Sequence, residues 1–148
     1  MESTKDLEKY TYDLLAERGV TLEDIAELVL YVQKPYMPNL KIEECREHVA
    51  SVLSKREGHN AIITGIDKLT EQNKLSQPLQ RIVANDESLY GIDEILAFSI
   101  VNLYGSIGFT NYGYLDKVKP GIIKKLDSEE GGHCNTFLDD LVGAVAAA

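Results

Sequence analysis

Cysteine is scarce: two occur in 148 residues, and Cys45 and Cys134 lie far apart with neither CxxC nor zinc-type spacing. A disulfide scaffold or structural zinc module is therefore not the organising device, and a reducing cytoplasm is the expected setting. Cys45 falls on a helical apolar stripe and reads as a core thiol. Cys134 reads as a passive loop residue, since no arginine follows at the C-x5-R spacing of a thiol-phosphatase loop. Positive charge is also short. Fifteen Lys and Arg against 24 Asp and Glu give a formal charge of −9, which argues against nucleic acid as a partner, because that needs clustered Lys and Arg. The same balance weakly opposes broad adhesion to anionic lipid, while a local basic patch could still adhere. The opening MESTKDLEKY has no basic-then-apolar leader. No segment alternates as a half-buried strand would, and there is no internal repeat or low-complexity tract.

What is present is helical periodicity. An apolar content of 44% suffices for one domain with a real core. Ser3 or Thr4 can cap a first helix to about Arg18, with a stripe of Leu7, Tyr10, Leu14 and Leu15 and a stop at Gly19. Thr21 and Asp24 resemble a capping box before a helix over 22–33. Further helices are predicted over about 41–55, 60–73, 78–86, 92–104, 108–119 and 121–127, with a break or kink at 56–60. The acidic clusters Glu23, Asp24, Glu27 and Glu43, Glu44, Glu47 read as solvated helix faces. Residues 95–115 carry no Asp, Glu, Lys or Arg for 21 residues, long enough to cross a bilayer. The polar Ser99, Asn102, Ser106, Thr110 and Asn111 and three glycines point instead to two buried helical pieces broken near Gly105 and Gly108. The expected fold is all-α: a single-domain bundle with a buried central helix at about 92–104, surrounded by amphipathic helices. The terminal AVAAA reads as an interrupted helix, which leaves open whether the native chain extends past Ala148.

The chemistry concentrates in 115–141, LDKVKPGIIKKLDSEEGGHCNTFLDDL. Acidic residues (Asp116, Asp127, Glu129, Glu130, Asp139, Asp140) alternate there with Lys117, Lys119, Lys124 and Lys125. Asn135 or Thr136 can cap a last helix whose first turn holds Asp139 and Asp140. A first-turn carboxylate pair suits the helix dipole and water. It also suits a metal site: hard oxygens from Asp139 or Asp140, joined by Asp116 or Asp93, fit Mg²⁺. Asp116 and Lys119 are one turn apart, which makes either a surface ion pair or two groups facing one site. Gly131 and Gly132 ahead of a helix N-terminus can offer N–H groups to phosphate, and His133 titrates near neutral pH.

Three elements resemble the phosphatidylglycerophosphatase A family in the right order. GIDEILAFSI resembles its Asp-Glu at the head of an apolar helix, and LDKVKPGIIKKLD its Leu-Asp-x-x-Lys-Pro with a later Asp. GGHCNTFLDDLVGAV resembles its Gly-Gly, six residues, Asp-Asp and small-residue helix. The chain looks like a soluble branch of that family, because it has no convincing span. The resemblance implies Mg²⁺-dependent hydrolysis of phosphatidylglycerophosphate to phosphatidylglycerol and phosphate. By matching position it implies Asp93, Glu94, Asp116, Lys119, Asp127, Asp139 and Asp140. The expected catalytic set is Asp93, Glu94, Asp116 and Asp140. The expected substrate contacts are Lys119, Gly131, Gly132 and His133, and the Mg²⁺ ligands are Asp93, Glu94, Asp139 and Asp140.

Two rival functions stay open. Glu23 with Glu27 and Glu43 with Glu47 invite comparison with all-α Mg²⁺-dependent nucleoside triphosphate pyrophosphohydrolases. A decayed site would leave a lipid- or phosphate-binding module without turnover. The expected partner is a phospholipid or other phosphomonoester substrate and not nucleic acid. Location is cytoplasmic, with peripheral membrane contact and homo-oligomer formation both left open.

Overall fold

The computed structural model describes residues 4–69, 75–86, 90–128 and 134–148. Among these the regular structure is helical: α1 (Thr4–Glu17), α2 (Leu22–Gln33), α3 (Ile42–Leu53), α4 (Arg56–Ile63) running into a π-helical stretch (Thr64–Leu69), α5 (Gln77–Ala84), α6 (Ile92–Val101), α7 (Ser106–Val118), α8 (Ile122–Asp127) and α9 (Leu138–Ala147). The all-α expectation holds. Local chemistry explains several boundaries. Thr21 and Asp24 form the reciprocal capping box that starts α2. Residues 56–60 are helical, and the break falls at Ser54 and Lys55 instead. On α1 the inward stripe uses Thr11, fully buried with its hydroxyl donating to Leu7 O, while Tyr10 faces water.

The centre of the bundle is α9, not the 92–104 helix. Every residue from Leu138 to Ala147 is buried, and α2, α6, α7 and α8 pack around it. After Asp140 the helix has no charge and is built largely of Gly, Ala and Val, so neighbours can approach on every side. α6 buries only Asp93, Ala97, Ile100 and Val101 and exposes Ile92, Ile95 and Phe98. The uncharged run does break into two helices, at 102–105. Neither is buried all round, because α7 also exposes Ile107, Tyr114 and Val118. No helix among the described residues is long and apolar enough to cross a membrane.

One close approach sets the depth of α9. A Cβ on Gly65 would lie 2.5 Å from Leu141 Cδ1 and 3.1 Å from Leu96 Cδ2. The π-helical stretch can seat against α9 and α6 only because that position is glycine. Cys45 is buried as expected, and so is His59, which meets the carbonyl of Leu53.

Candidate active site

The segment entering α9 is fastened from three directions. The Thr136 hydroxyl donates to Val83 O at the end of α5. The Asn135 amide donates to Leu126 O, 2.9 Å away in α8, and its side-chain oxygen accepts from Arg18 at 2.8 Å. Arg18 also donates to Cys134 O. The expected caps are thus spent on neighbouring helices, and the N-cap is Phe137 with no side-chain bond. What this fastening gains is a fixed first turn: Asp139 and Asp140 are only 5% and 6% exposed.

The two aspartates have different surroundings. Asp140 meets Asp93 and Glu94 from the start of α6, and each of the three offers one carboxylate oxygen within 4.8 Å of the others. The Tyr112 hydroxyl donates to Asp140 Oδ1 at 2.8 Å. Glu94 N donates to Asp93 Oδ1 at 3.2 Å. Glu94 Oε2 is buried with no hydrogen-bond partner among the described residues. Burial first, then the Asp139 charge, pushes the Asp140 carboxyl up to about 8 against the stabilising phenol bond. Burial and the adjoining Glu94 raise Asp93 as well. The Tyr112 phenol is raised by burial and by Asp140, so it remains a donor.

Asp139 instead meets Lys119. The ammonium lies 2.9 Å from Asp139 Oδ2, 3.2 Å from Asp116 Oδ1 and 3.2 Å from Asp127 Oδ1. The ammonium donates a hydrogen bond to Asp139, and Asp116 and Asp127 pair with its charge. Burial lowers Lys119, but these carboxylates outweigh it and hold the group above its usual value. Burial raises Asp139 to about 6 while Lys119 pulls it down, so at neutral pH the pair is ionic.

Both groups open on one cavity of about 160 Å³, lined by Asp86, Tyr90, Gly91, Asp93, Glu94, Asp116, Lys119, Thr136, Asp139 and Asp140. The cavity therefore gathers the expected Asp93, Glu94, Asp116, Lys119, Asp139 and Asp140. Asp127 touches it through Lys119. Gly131, Gly132, His133, Glu129 and Glu130 lie outside the described residues. Sequence reasoning missed Tyr112, Asp86, Tyr90 and Thr136. Tyr112 had a usable signal: it sits between Gly108 and Leu115 on the buried stripe of α7, and a buried phenol needs a partner. Asp86 had none, because its left-handed turn conformation (φ 47°) aims it from a loop.

The acidic clusters of the nucleotide-hydrolase rival are arranged differently. Glu23 is bonded by the Arg46 guanidinium, which also lies 3.7 Å from Glu43, on an exposed face of α2 and α3. Among the described residues the carboxylates that converge as a ligand set are Asp93, Glu94 and Asp140.

The phosphatidylglycerophosphatase A family model matches residues 15–148. The uncharacterized protein YutG of Bacillus subtilis (strain 168) is 63% identical over 136 residues, covering 90% of this chain and 82% of that protein. The low temperature requirement C protein of Listeria monocytogenes superposes with a TM-score of 0.91 at 59% identity, covering 96% of this chain and 91% of that one. The protein ypjQ of Bacillus subtilis superposes with a TM-score of 0.93 at 53% identity, covering 99% and 91%.

Proposed function

Since the chain belongs to the phosphatidylglycerophosphatase A family, we propose that it hydrolyses the phosphomonoester of a phospholipid headgroup, phosphatidylglycerophosphate or a near relative, with Mg²⁺. The observation that carries this reading is the convergence of Asp93, Glu94 and Asp140 within 4.8 Å. The donor set fits the ion. Three hard carboxylates meet with no lysine or arginine bonded to them among the described residues, and one oxygen, Glu94 Oε2, is buried without a partner. Such a group stays costly until a proton or a cation arrives. When bound, Mg²⁺ would neutralise phosphoryl oxygens and acidify a coordinated water.

The remaining contributions come from the chain itself. Tyr112 holds one oxygen of Asp140 and so orients the other. Thr136, Asn135 and Arg18 keep the α9 entry from shifting. Asp116 is proposed as the further catalytic carboxylate, since it lines the same cavity one turn before Lys119. Water would add to phosphorus as the ester P–O bond breaks, giving phosphate and the alcohol. A cavity of about 160 Å³ admits a phosphoryl group and leaves the rest of the substrate outside. That suits a terminal phosphate better than a fully enclosed small molecule, for which pockets run to roughly 300 Å³ or more.

The surface beside the cavity suits a lipid. α6 supplies Asp93 and Glu94 and exposes Ile92 and Ile95 next to them. Lys117, Lys124 and Lys125 are exposed nearby in sequence, and each lysine near an anionic surface is worth about 1 kcal/mol. The test is phosphate release from phosphatidylglycerophosphate in vesicles and from a panel of soluble phosphomonoesters and nucleoside triphosphates, with and without Mg²⁺. Mg²⁺-dependent release from the lipid is expected. Pyrophosphate release from nucleotides, or lipid binding without turnover, would replace this reading with one of its rivals.

A further inference from the structure

The first turn of α9 carries two carboxylate pockets side by side, and each has three acidic residues. One is Asp140 with Asp93 and Glu94. The other is Asp139 with Asp116 and Asp127, and an ammonium already sits in it. Phosphoester-cleaving sites with two metals place the ions a few ångströms apart and divide the acidic residues between them. Here the second position is taken by a side chain. We propose that Lys119 is a resident counter-cation, filling the Asp116–Asp127–Asp139 pocket so that the site takes up one divalent ion, at Asp93, Glu94 and Asp140, rather than a pair. The inference rests on reading those three residues as a cation site.

Two independent features support it. Three carboxylates stand 2.9–3.2 Å from the Lys119 ammonium, Asp139 by a hydrogen bond, so its charge is already committed within the chain. The backbone at Lys119 is left-handed (φ 46°, ψ 56°) at the C-cap of α7, a position where glycine is the ordinary residue. A lysine stands there against its own backbone preference, and what it adds is the ammonium.

That strain also supplies a suitable variant. Lys119→Gly removes the charge while relieving the backbone, and Lys119→Asn does so with another residue that tolerates the left-handed region. Mn²⁺ bound per full-length chain is counted by equilibrium dialysis, with helicity followed by circular dichroism. One ion is expected for the wild type and for Lys119→Arg. Two are expected for Lys119→Gly and Lys119→Asn, returning to one when Asp127→Asn is added. Two ions in the wild type, or one in both uncharged variants while they remain helical, would overturn the inference and leave the Asp93–Glu94–Asp140 site standing. No ion in the wild type, or one that survives Asp93→Asn unchanged, would remove that site and this inference together.

Discussion

Asp139 and Asp140 are neighbours in sequence and nearly equal in burial, yet one is paired with a cation of the chain and the other is not. Asp139 faces Lys119 from the end of α7. Asp140 faces Asp93 and Glu94 from the start of α6, and its one described donor is a phenol. Successive residues on a helix are turned about 100° apart, so a single turn serves two acidic pockets, one with a cation of its own and one without. The Lys119 pocket carries its own cation among three carboxylates. The Asp140 pocket has no cation of its own, so its raised carboxyls keep their protons to higher pH, and an external cation that displaces those protons meets no side-chain competitor there.

The largest effect that separates the two halves should come from Asp140→Asn. Phosphate release should fall by more than the roughly 10- to 100-fold that even outer partners of a metal ligand cost. Above about pH 8 the metal-free protein should be as stable as wild type or slightly more so, because a repelling charge is gone. Retained activity with an unchanged Mg²⁺ requirement would break the comparison. Lys119→Met should behave in the opposite way and strike stability. It leaves Asp139 buried beside two carboxylates with no counter-cation, at a cost of roughly 1–3 kcal/mol. That is reduced from the 3–5 of a fully buried pair because Lys119 is 30% exposed. Urea unfolding of the two metal-free variants measures the contrast.

The pH dependence separates the halves further. The folded-state pKa values of Asp93, Asp139 and Asp140 are all raised, to about 6 for Asp139 and about 8 for Asp140. A raised acid binds its proton more tightly in the folded state. Its contribution to stability is therefore full below the unfolded value near pH 4 and is lost as pH rises through the folded value. The metal-free protein should lose stability between about pH 6 and 8 more steeply than Asp140→Asn does. Equal slopes by urea titration would mean that Asp140 does not carry this charge cost.

Smaller effects sharpen the picture. Tyr112→Phe removes the phenol bond to Asp140 and should cost about 1.5–3 kcal/mol without metal, with activity reduced roughly 10- to 100-fold. Asp127→Asn touches only the outer, 41% exposed end of the Lys119 pocket. It should cost less than about 1 kcal/mol and leave activity near wild type.

Residue pattern exposed the helices and most of this site, and it failed where size and distance mattered. The Asp-Glu at 93–94 and the Asp-Asp at 139–140 are visible as acidic pairs heading apolar helices, and their convergence follows from α6 packing on α9. The central helix was misplaced because hydropathy favours bulky residues such as Ile95, Phe98 and Leu103. Those lie outside, while Gly143, Ala144, Ala146 and Ala147 occupy the middle. Small residues signal close approach only once neighbours are known. Asn135 and Thr136 looked like caps, because capping is the local use of such side chains. Their actual partners, Arg18, Leu126 and Val83, are distant in sequence or on other helices. The sharing of Lys119 among three carboxylates was half legible: Asp116 is one turn away, whereas Asp127 and Asp139 arrive through the fold.

The most direct test of where the cation goes is the Mg²⁺-induced shift in thermal unfolding of wild type, Asp140→Asn and Asp127→Asn. Binding to the folded state alone stabilises by mass action, by about 2.7 kcal/mol at a hundred times the dissociation constant. Wild type and Asp127→Asn should both rise in Tm with Mg²⁺, and Asp140→Asn should not respond. A Mg²⁺ response that survives Asp140→Asn and disappears in Asp127→Asn would put the cation in the Lys119 pocket and contradict this account.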